Sequence, residues 1–360
     1  MKKVVLSLIV AGISFLMGAQ TPSAPQYVYT EASDLTLTGK LMDTPNPYHR
    51  VDTVKFKGFT RGENVQVRNS AGIAVAFRTN SRDISVLTEY GDVGYPNNTG
   101  GFSARGYDLY IRKDGRWIWA GAGVSGDLKK PFNVISNMDG TMKECLLYLP
   151  ILSEEYSVKI GVNEGAVLEA IPNPFRYRIG IFGSSFTHGI STSRAGMAYP
   201  AIFNRDTGLQ LLSLGCSGNC KLQDYFADVL AAADVDAFVF DTFSNPTPEQ
   251  IRERLFPFIE KVQAAHPGKP LIFQHTIYRE WRNFNEKTNL SESTRIEVVD
   301  SLMKIACKKY KDVYYIHPNA SAKDHETTQD GTHPSDRGYQ LWAQSIEKPV
   351  KKILRKYGMK

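Results

Sequence analysis

Arg178-Ile179-Gly180-Ile181-Phe182-Gly183-Ser184-Ser185-Phe186-Thr187-His188-Gly189 reads as a short apolar strand that breaks at a glycine, turns through two serines and enters a helix. In a parallel sheet, such a turn carries its side chains to the carboxyl edge of the strands, where open α/β folds place their ligands. A hydroxyl held there faces a helix N-terminus, which favours developing negative charge and suits a nucleophile. Taken alone, the segment serves equally well as a small-residue turn that caps the helix. Its neighbours decide between the two.

Downstream, further apolar strand candidates alternate with amphipathic stretches: Gln210 to Leu214, Ala237 to Asp241, Pro270 to Gln274 and Val313 to Ile316. Ile251, Leu255, Phe258 and Val262 share one face of a helix over Pro248 to Ala265. Ile296, Val299, Met303, Ala306 and Tyr310 do so between Ser291 and Tyr310, and Tyr339, Trp342, Ile346, Val350 and Ile353 in the last helix. The 3.6-residue period between strands predicts βα units, hence a parallel sheet covered on both faces.

Upstream the period changes. Val51 to Phe56, Val65 to Val67, Ile73 to Phe77, Asp83 to Thr88, Tyr107 to Arg112, Arg116 to Gly121, Glu144 to Leu149 and Ser157 to Val162 read as strands. Turn-formers separate them, as in Asp92 to Gly101, Lys113-Asp114-Gly115 and Met138-Asp139-Gly140. An all-β sandwich or jelly roll over 27–170 is expected. The prolines of Ile171-Pro172-Asn173-Pro174 hold the chain extended, which sets the boundary before an α/β domain over 175–360. A chain of 360 residues is long enough for two cores.

At the N-terminus, Lys2 and Lys3 precede the apolar run Val4 to Leu16, which ends in Gly18 and Ala19. This order is that of a secretory leader over 1–19 and implies export to a periplasmic or extracellular location, with no membrane span once the leader is removed. The formal charge of +6 falls by the leader's two lysines to +4. Lys348, Lys351, Lys352 and Lys356 read as a solvated helix face, so no nucleic-acid partner is expected. Four cysteines are too few for a disulfide scaffold. Cys145 and Cys307 read as core residues, and Cys216 and Cys220 as small buried thiols that an oxidising compartment could pair.

Three further segments sit where strands end. Leu214-Gly215-Cys216-Ser217-Gly218-Asn219 offers a backbone N–H at Gly218, and Asp241-Thr242-Phe243-Ser244-Asn245-Pro246 offers an amide at Asn245; both can donate to an oxyanion. Asp330-Gly331-Thr332-His333-Pro334 sets a carboxylate three residues before an imidazole, a spacing that lets the acid hold the ring's tautomer while the other nitrogen takes a proton from serine. No third and fourth ligand accompany them at metal-binding spacing, so neither a metal nor a cofactor is expected. His188, His275, His317 and His325 read as loop or surface residues, and Asp324-His325 lacks the spacing of its rival. In the loop Tyr278 to Leu290, Arg279, Trp281 and Arg282 are candidates to line a substrate pocket, with covering the sheet edge the equal alternative for Trp281.

Four such blocks, in this order on strand ends, resemble the SGNH hydrolases, also called GDSL esterases. The resemblance spans Arg178 to the C-terminus and implies a flavodoxin-like α/β domain. It makes Ser185 the nucleophile, His333 and Asp330 its triad partners, and Ser185, Gly218 and Asn245 the oxyanion donors. Ser184 stands where the family block has aspartate. Gly106-Tyr107-Asp108-Leu109-Tyr110 resembles the Gly-x-Asp-Leu-Tyr motif of the β-rich domain that precedes some bacterial members; individually Tyr107, Asp108 and Tyr110 read as a strand with one buried face. The resemblance implies a serine esterase acting on a small acyl ester, acetyl on a carbohydrate being favoured, with a small molecule or glycan as its partner. A short-chain or lipid carboxylesterase and a non-catalytic carbohydrate binder are the alternatives.

Overall fold

The computed structural model describes residues 26–360, so the leader expected over 1–19 lies outside the described residues. The N-terminal region is built from antiparallel strands: β1 (Tyr27–Glu31), β2 (Thr36–Thr38), β3 (Ala74–Thr79), β4 (Ile84–Val93), β5 (Tyr107–Lys113), β6 (Arg116–Gly123), β7 (Phe132–Ile135), β8 (Lys143–Tyr148), β9 (Ser153–Asn163) and β10 (Leu168–Ala170). One sheet runs β1-β9-β4-β7 and the other β10-β3-β8-β5-β6, with β2 on β3. Alternate residues point between them, so Val75, Phe77, Leu109 and Leu147 of one sheet pack with Ile84, Val86, Val158 and Ile160 of the other in one core. The region also holds two short helices, α1 (Arg61–Arg68) and α2 (Gly101–Ala104).

Two of the expected strands are not strands. Val65 and Val67 alternate, but Thr60 and Glu63 form a capping box: Thr60 Oγ1 accepts from the Glu63 N–H at 3.3 Å and Glu63 Oε2 from the Thr60 N–H at 2.7 Å, which starts α1. From Val51 to Phe56 the chain turns instead, because Asp52 Oδ1 accepts the N–H groups of Val54 and Lys55.

The C-terminal region is α/β. Strands β11 (Arg176–Gly183), β12 (Leu209–Gly215), β13 (Ala237–Asp241), β14 (Leu271–Gln274) and β15 (Val313–Ile316) form a parallel sheet in the order β12-β11-β13-β14-β15, the flavodoxin-like order with β11 at the switch point. Helices α5 (Asp224–Ala231), α6 (Pro248–Ala265) and α7 (Glu286–Lys309) cover one face through Phe226, Leu255 and Met303. On the other lie α4 (Tyr199–Thr207) and α8 (Asp336–Arg355), through Tyr199, Ile202, Trp342 and Ile346; the short α3 (Ser185–His188) follows β11. Cys145, Cys216 and Cys220 are buried and unpaired, while Cys307, expected in the core, is exposed.

The two regions are locked by polar contacts. Asp108, fully buried, takes Arg194 Nη1 at 2.9 Å and the Gly196 N–H at 3.0 Å, and Tyr110 OH accepts from Arg194 at 3.2 Å. The Arg205 guanidinium lies over the Tyr110 ring at 3.9 Å. Asp108 and Tyr110 therefore do more than bury one face of a strand: they hold the segment that follows the Ser185 turn.

Candidate active site

Three strand ends are tied together before any side chain enters the site. The Cys216 N–H donates to the Gly183 carbonyl at 2.8 Å, and the Ser184 N–H to the Asp241 carbonyl at 3.1 Å. Gly215 must be glycine, because a Cβ there would collide with the backbone of Thr187 and His188. This close approach brings the 216–219 loop against the turn that carries Ser185.

Ser184 ties that turn to the neighbouring strand. Its hydroxyl accepts from the Phe186 N–H at 3.2 Å as the N-cap of α3, and donates to Asp241 Oδ2 at 2.8 Å. The same oxygen accepts from the Ser184 N–H at 3.1 Å and Thr187 Oγ1 at 3.0 Å. A carboxylate supplied by β13 thus braces the turn. Burial pushes Asp241 up to about 6, with the Ser184 and Thr187 donors opposing it.

Ser185, Asp330 and His333 come together. Ser185 Oγ lies 2.9 Å from His333 Nε2, and His333 Nδ1 donates to Asp330 Oδ2 at 2.8 Å, one hydrogen-bonded line across 148 residues of chain. The 330–333 spacing works as an Asx turn: Asp330 Oδ1 accepts the N–H groups of Thr332 at 3.0 Å and His333 at 2.7 Å, which locks the carboxylate toward the ring. Burial alone would raise Asp330, but the His333 N–H, the Asn98 amide and the imidazole outweigh it and hold the carboxyl down to about 2.

The expected oxyanion donors also lie at this edge. Asn245 Oδ1 accepts the Cys220 N–H at 3.2 Å, so its amide nitrogen is the end left to donate. Among the described residues, that nitrogen and the N–H groups of Ser185 and Gly218 have no hydrogen-bond acceptor. Gly218 has φ +70°, a conformation that suits glycine.

The other histidines lie elsewhere. His188 is no surface residue: it is buried, its Nε2 donates to the Ile151 carbonyl at 2.7 Å and its Nδ1 accepts the Ser217 N–H at 3.4 Å. Burial, with Arg50 nearby, pushes it down to about 3, so it stays neutral. His275 and His317 stack at 4.9 Å, and His325 pairs with Glu280. Arg279 is committed internally, to Glu292 at 2.6 Å and the Ser244 carbonyl at 2.9 Å, where it supports the strand end that carries Asn245. Trp281 is half exposed, donates to the Asp330 carbonyl, and lies over Gly331 so closely that a Cβ there would collide with its ring.

Two contacts from the N-terminal region escaped the sequence reading. Asn98 Nδ2 donates to Asp330 Oδ2 at 2.9 Å, and Gln66 grips the 217–219 loop, donating to the Ser217 carbonyl and accepting from Asn219 Nδ2, both at 2.9 Å. Asn98 lay in a stretch read as turn chemistry and Gln66 in one read as a strand. The Thr60/Glu63 capping box was the available signal for the second; the first had none.

Residues 176–351 match the GDSL-like Lipase/Acylhydrolase family, and residues 26–168 match the GxDLY family, described as the N-terminus of SGNH-hydrolase-type esterases. No curated protein matches the chain. Among solved structures, a protein from Bacteroides ovatus ATCC 8483 described as a GDSL-like lipase is 37% identical, with 92% of this chain and 98% of that one covered and a TM-score of 0.89. The salicylyl-acyltransferase SsfX3 of a tetracycline biosynthetic pathway is 18% identical, over 91% and 97%, with a TM-score of 0.69. A family two carbohydrate esterase from Clostridium thermocellum, in complex with cellohexaose, is 15% identical over 78% and 92%, with a TM-score of 0.56; the last two likenesses are of fold alone. With the Bacteroides ovatus protein similar over nearly its whole length, this chain belongs to the GDSL-like lipase/acylhydrolase family of SGNH-type ester hydrolases, with a GxDLY-type N-terminal region.

Proposed function

We propose that the protein is a serine esterase that removes a small acyl group, acetyl being favoured, from a carbohydrate, and that Ser185, His333 and Asp330 are its catalytic triad. The observation that carries this reading is the hydroxyl–imidazole–carboxylate line, 2.9 and 2.8 Å long, at a sheet edge that also holds three N–H donors without acceptors among the described residues. His333 Nε2 takes the Ser185 proton as Oγ bonds to the ester carbonyl carbon, and the carbonyl oxygen takes up the negative charge. The N–H groups of Ser185 and Gly218 and the Asn245 amide receive that charge. As the intermediate collapses, the imidazolium protonates the leaving alcohol; water, deprotonated by the same ring, then releases the acid. Asn245→Ala is expected to lower kcat by roughly 100-fold or more with the fold kept, as measured by aryl acetate hydrolysis and thermal melting.

The carbohydrate part of the reading rests on Trp281, an exposed aromatic face seated on the Asp330 turn, and on the fold shared with carbohydrate esterases. A second reading, an apolar short-chain ester, is favoured by Phe284, 99% exposed, which ends the loop turn that begins beside Trp281. Acetate release from acetylated oligosaccharides, measured beside a panel of aryl esters of rising chain length, separates them. The carbohydrate reading expects the larger kcat/KM on the acetylated sugar, and it fails if only the aryl esters are turned over. We further propose two domains, 27–170 and 175–360, and an exported protein released from a leader over 1–19. No helix among the described residues is long and apolar enough to cross a membrane.

A further inference from the structure

We infer that Asn98, delivered by the N-terminal β region, is a positioning residue for the Asp330–His333 pair, so that the site is complete only when both regions are docked. The inference rests on the proposed triad and extends it beyond the α/β domain.

The Asp330 carboxylate accepts four hydrogen bonds. Oδ1 takes the Thr332 and His333 N–H groups and Oδ2 takes His333 Nδ1, all from its own turn; the fourth, from Asn98 Nδ2 at 2.9 Å, arrives from the other region. Asn98 Nδ2 also lies 3.5 Å from His333 Nδ1, against the bond that sets the ring's tautomer. An amide nitrogen donates at every pH, so its partner oxygen is fixed as an acceptor and the imidazole remains the only group able to carry the Nδ1 proton.

The loop that presents Asn98 is itself held on the nucleophile's segment. Thr99 Oγ1 accepts the Ser191 N–H at 3.0 Å, and Ser103 and Thr192 share a hydroxyl bond of 2.7 Å. Ser191 and Thr192 lie three and four residues past the end of α3, and the Ile190 N–H between them and the helix donates to the Ser185 carbonyl at 3.0 Å. One short stretch, 98–103, therefore touches both the serine segment and the carboxylate, and fixes their separation. A group held this way contributes through geometry, where displacements of about 1 Å can cost on the order of 100-fold in rate.

Asn98→Ala and Asn98→Asp in the full chain separate the two possible roles. Aspartate keeps the shape but replaces the donor with a second negative acceptor, whereas alanine removes both. If Asn98 acts as a donor, Asn98→Ala lowers kcat on an aryl acetate about 10-fold or more, with KM and melting temperature little changed. Asn98→Asp then lowers kcat further, because a second acceptor faces Asp330 Oδ2 where a donor stood. If Asn98 only packs, Asn98→Ala leaves kcat within about 2-fold of the parent, which overturns the inference. The low-field proton resonance of His333 Nδ1–H provides a readout that needs no turnover. It is expected to shift in both variants, and an unchanged resonance overturns the positioning role. Absence of ester hydrolysis by the unmodified protein would sink the proposed function, while the resonance would still decide the part played by Asn98.

Discussion

Ser185→Ala is expected to reduce ester turnover by on the order of 10⁴-fold or more while leaving the melting temperature within a few degrees of the parent. The hydroxyl is the only group at position 185 that can form the acyl bond, and among the described residues its one side-chain partner is His333 Nε2 at 2.9 Å. The imidazole keeps contact with solvent and retains its bond to Asp330, so losing the hydroxyl strands no deeply buried donor. The turn itself does not rest on this side chain: Ser184, Thr187 and Asp241 hold it. Measured kcat and a melting curve check both halves, and a variant that keeps its turnover would move the nucleophile elsewhere.

Asp330→Asn is expected to cost about 10⁴-fold in kcat for a different reason, the wrong tautomer. An amide at 330 satisfies the turn by keeping its oxygen toward the Thr332 and His333 N–H groups, which leaves its NH₂ facing His333 Nδ1 and Asn98 Nδ2. Two donors then confront a third, and the ring relieves the clash by moving its proton to Nε2, where it can no longer accept from Ser185. The sign of the pH dependence follows from the same contacts. Asp330 is held down to about 2, below the ordinary carboxylate range, so its stabilising effect is in place above that range and is lost only as the pH falls through about 2. Through neutral and mildly acidic pH the Asp330 carboxyl stays ionised. A variant within about 10-fold of the parent would remove the carboxylate from the mechanism.

The α/β half of the molecule was legible because its signals are local and strong. The apolar face Ile251, Leu255, Phe258, Val262 marks α6 over the residues expected, and the buried stripe of α8 is the one read from the sequence. The Asp330-x-x-His333 pair was legible for the same reason: both groups lie in one Asx turn whose geometry the spacing encodes. Short helices were harder. α4 and α5 span 9 and 8 residues, too few for a period to stand out from the apolar strands beside them. In α1 two valines at alternate positions imitated a strand, although the Thr60/Glu63 box stated otherwise. His188 and Cys307 changed places with expectation, since a single side chain's burial depends on which face of a short or long helix meets a neighbour. Asn98 could not be read at all: its partner is 232 residues away, in the other region, and only docking brings them together.

Labelling the full chain with a fluorophosphonate and mapping the adduct by peptide mass spectrometry tests the nucleophile most directly, because the reagent reports an activated serine whatever the natural ester. The expected result is one adduct, on Ser185, that disappears in His333→Ala. An adduct on another residue, or folded protein that takes up no label, would contradict the serine–imidazole–carboxylate site.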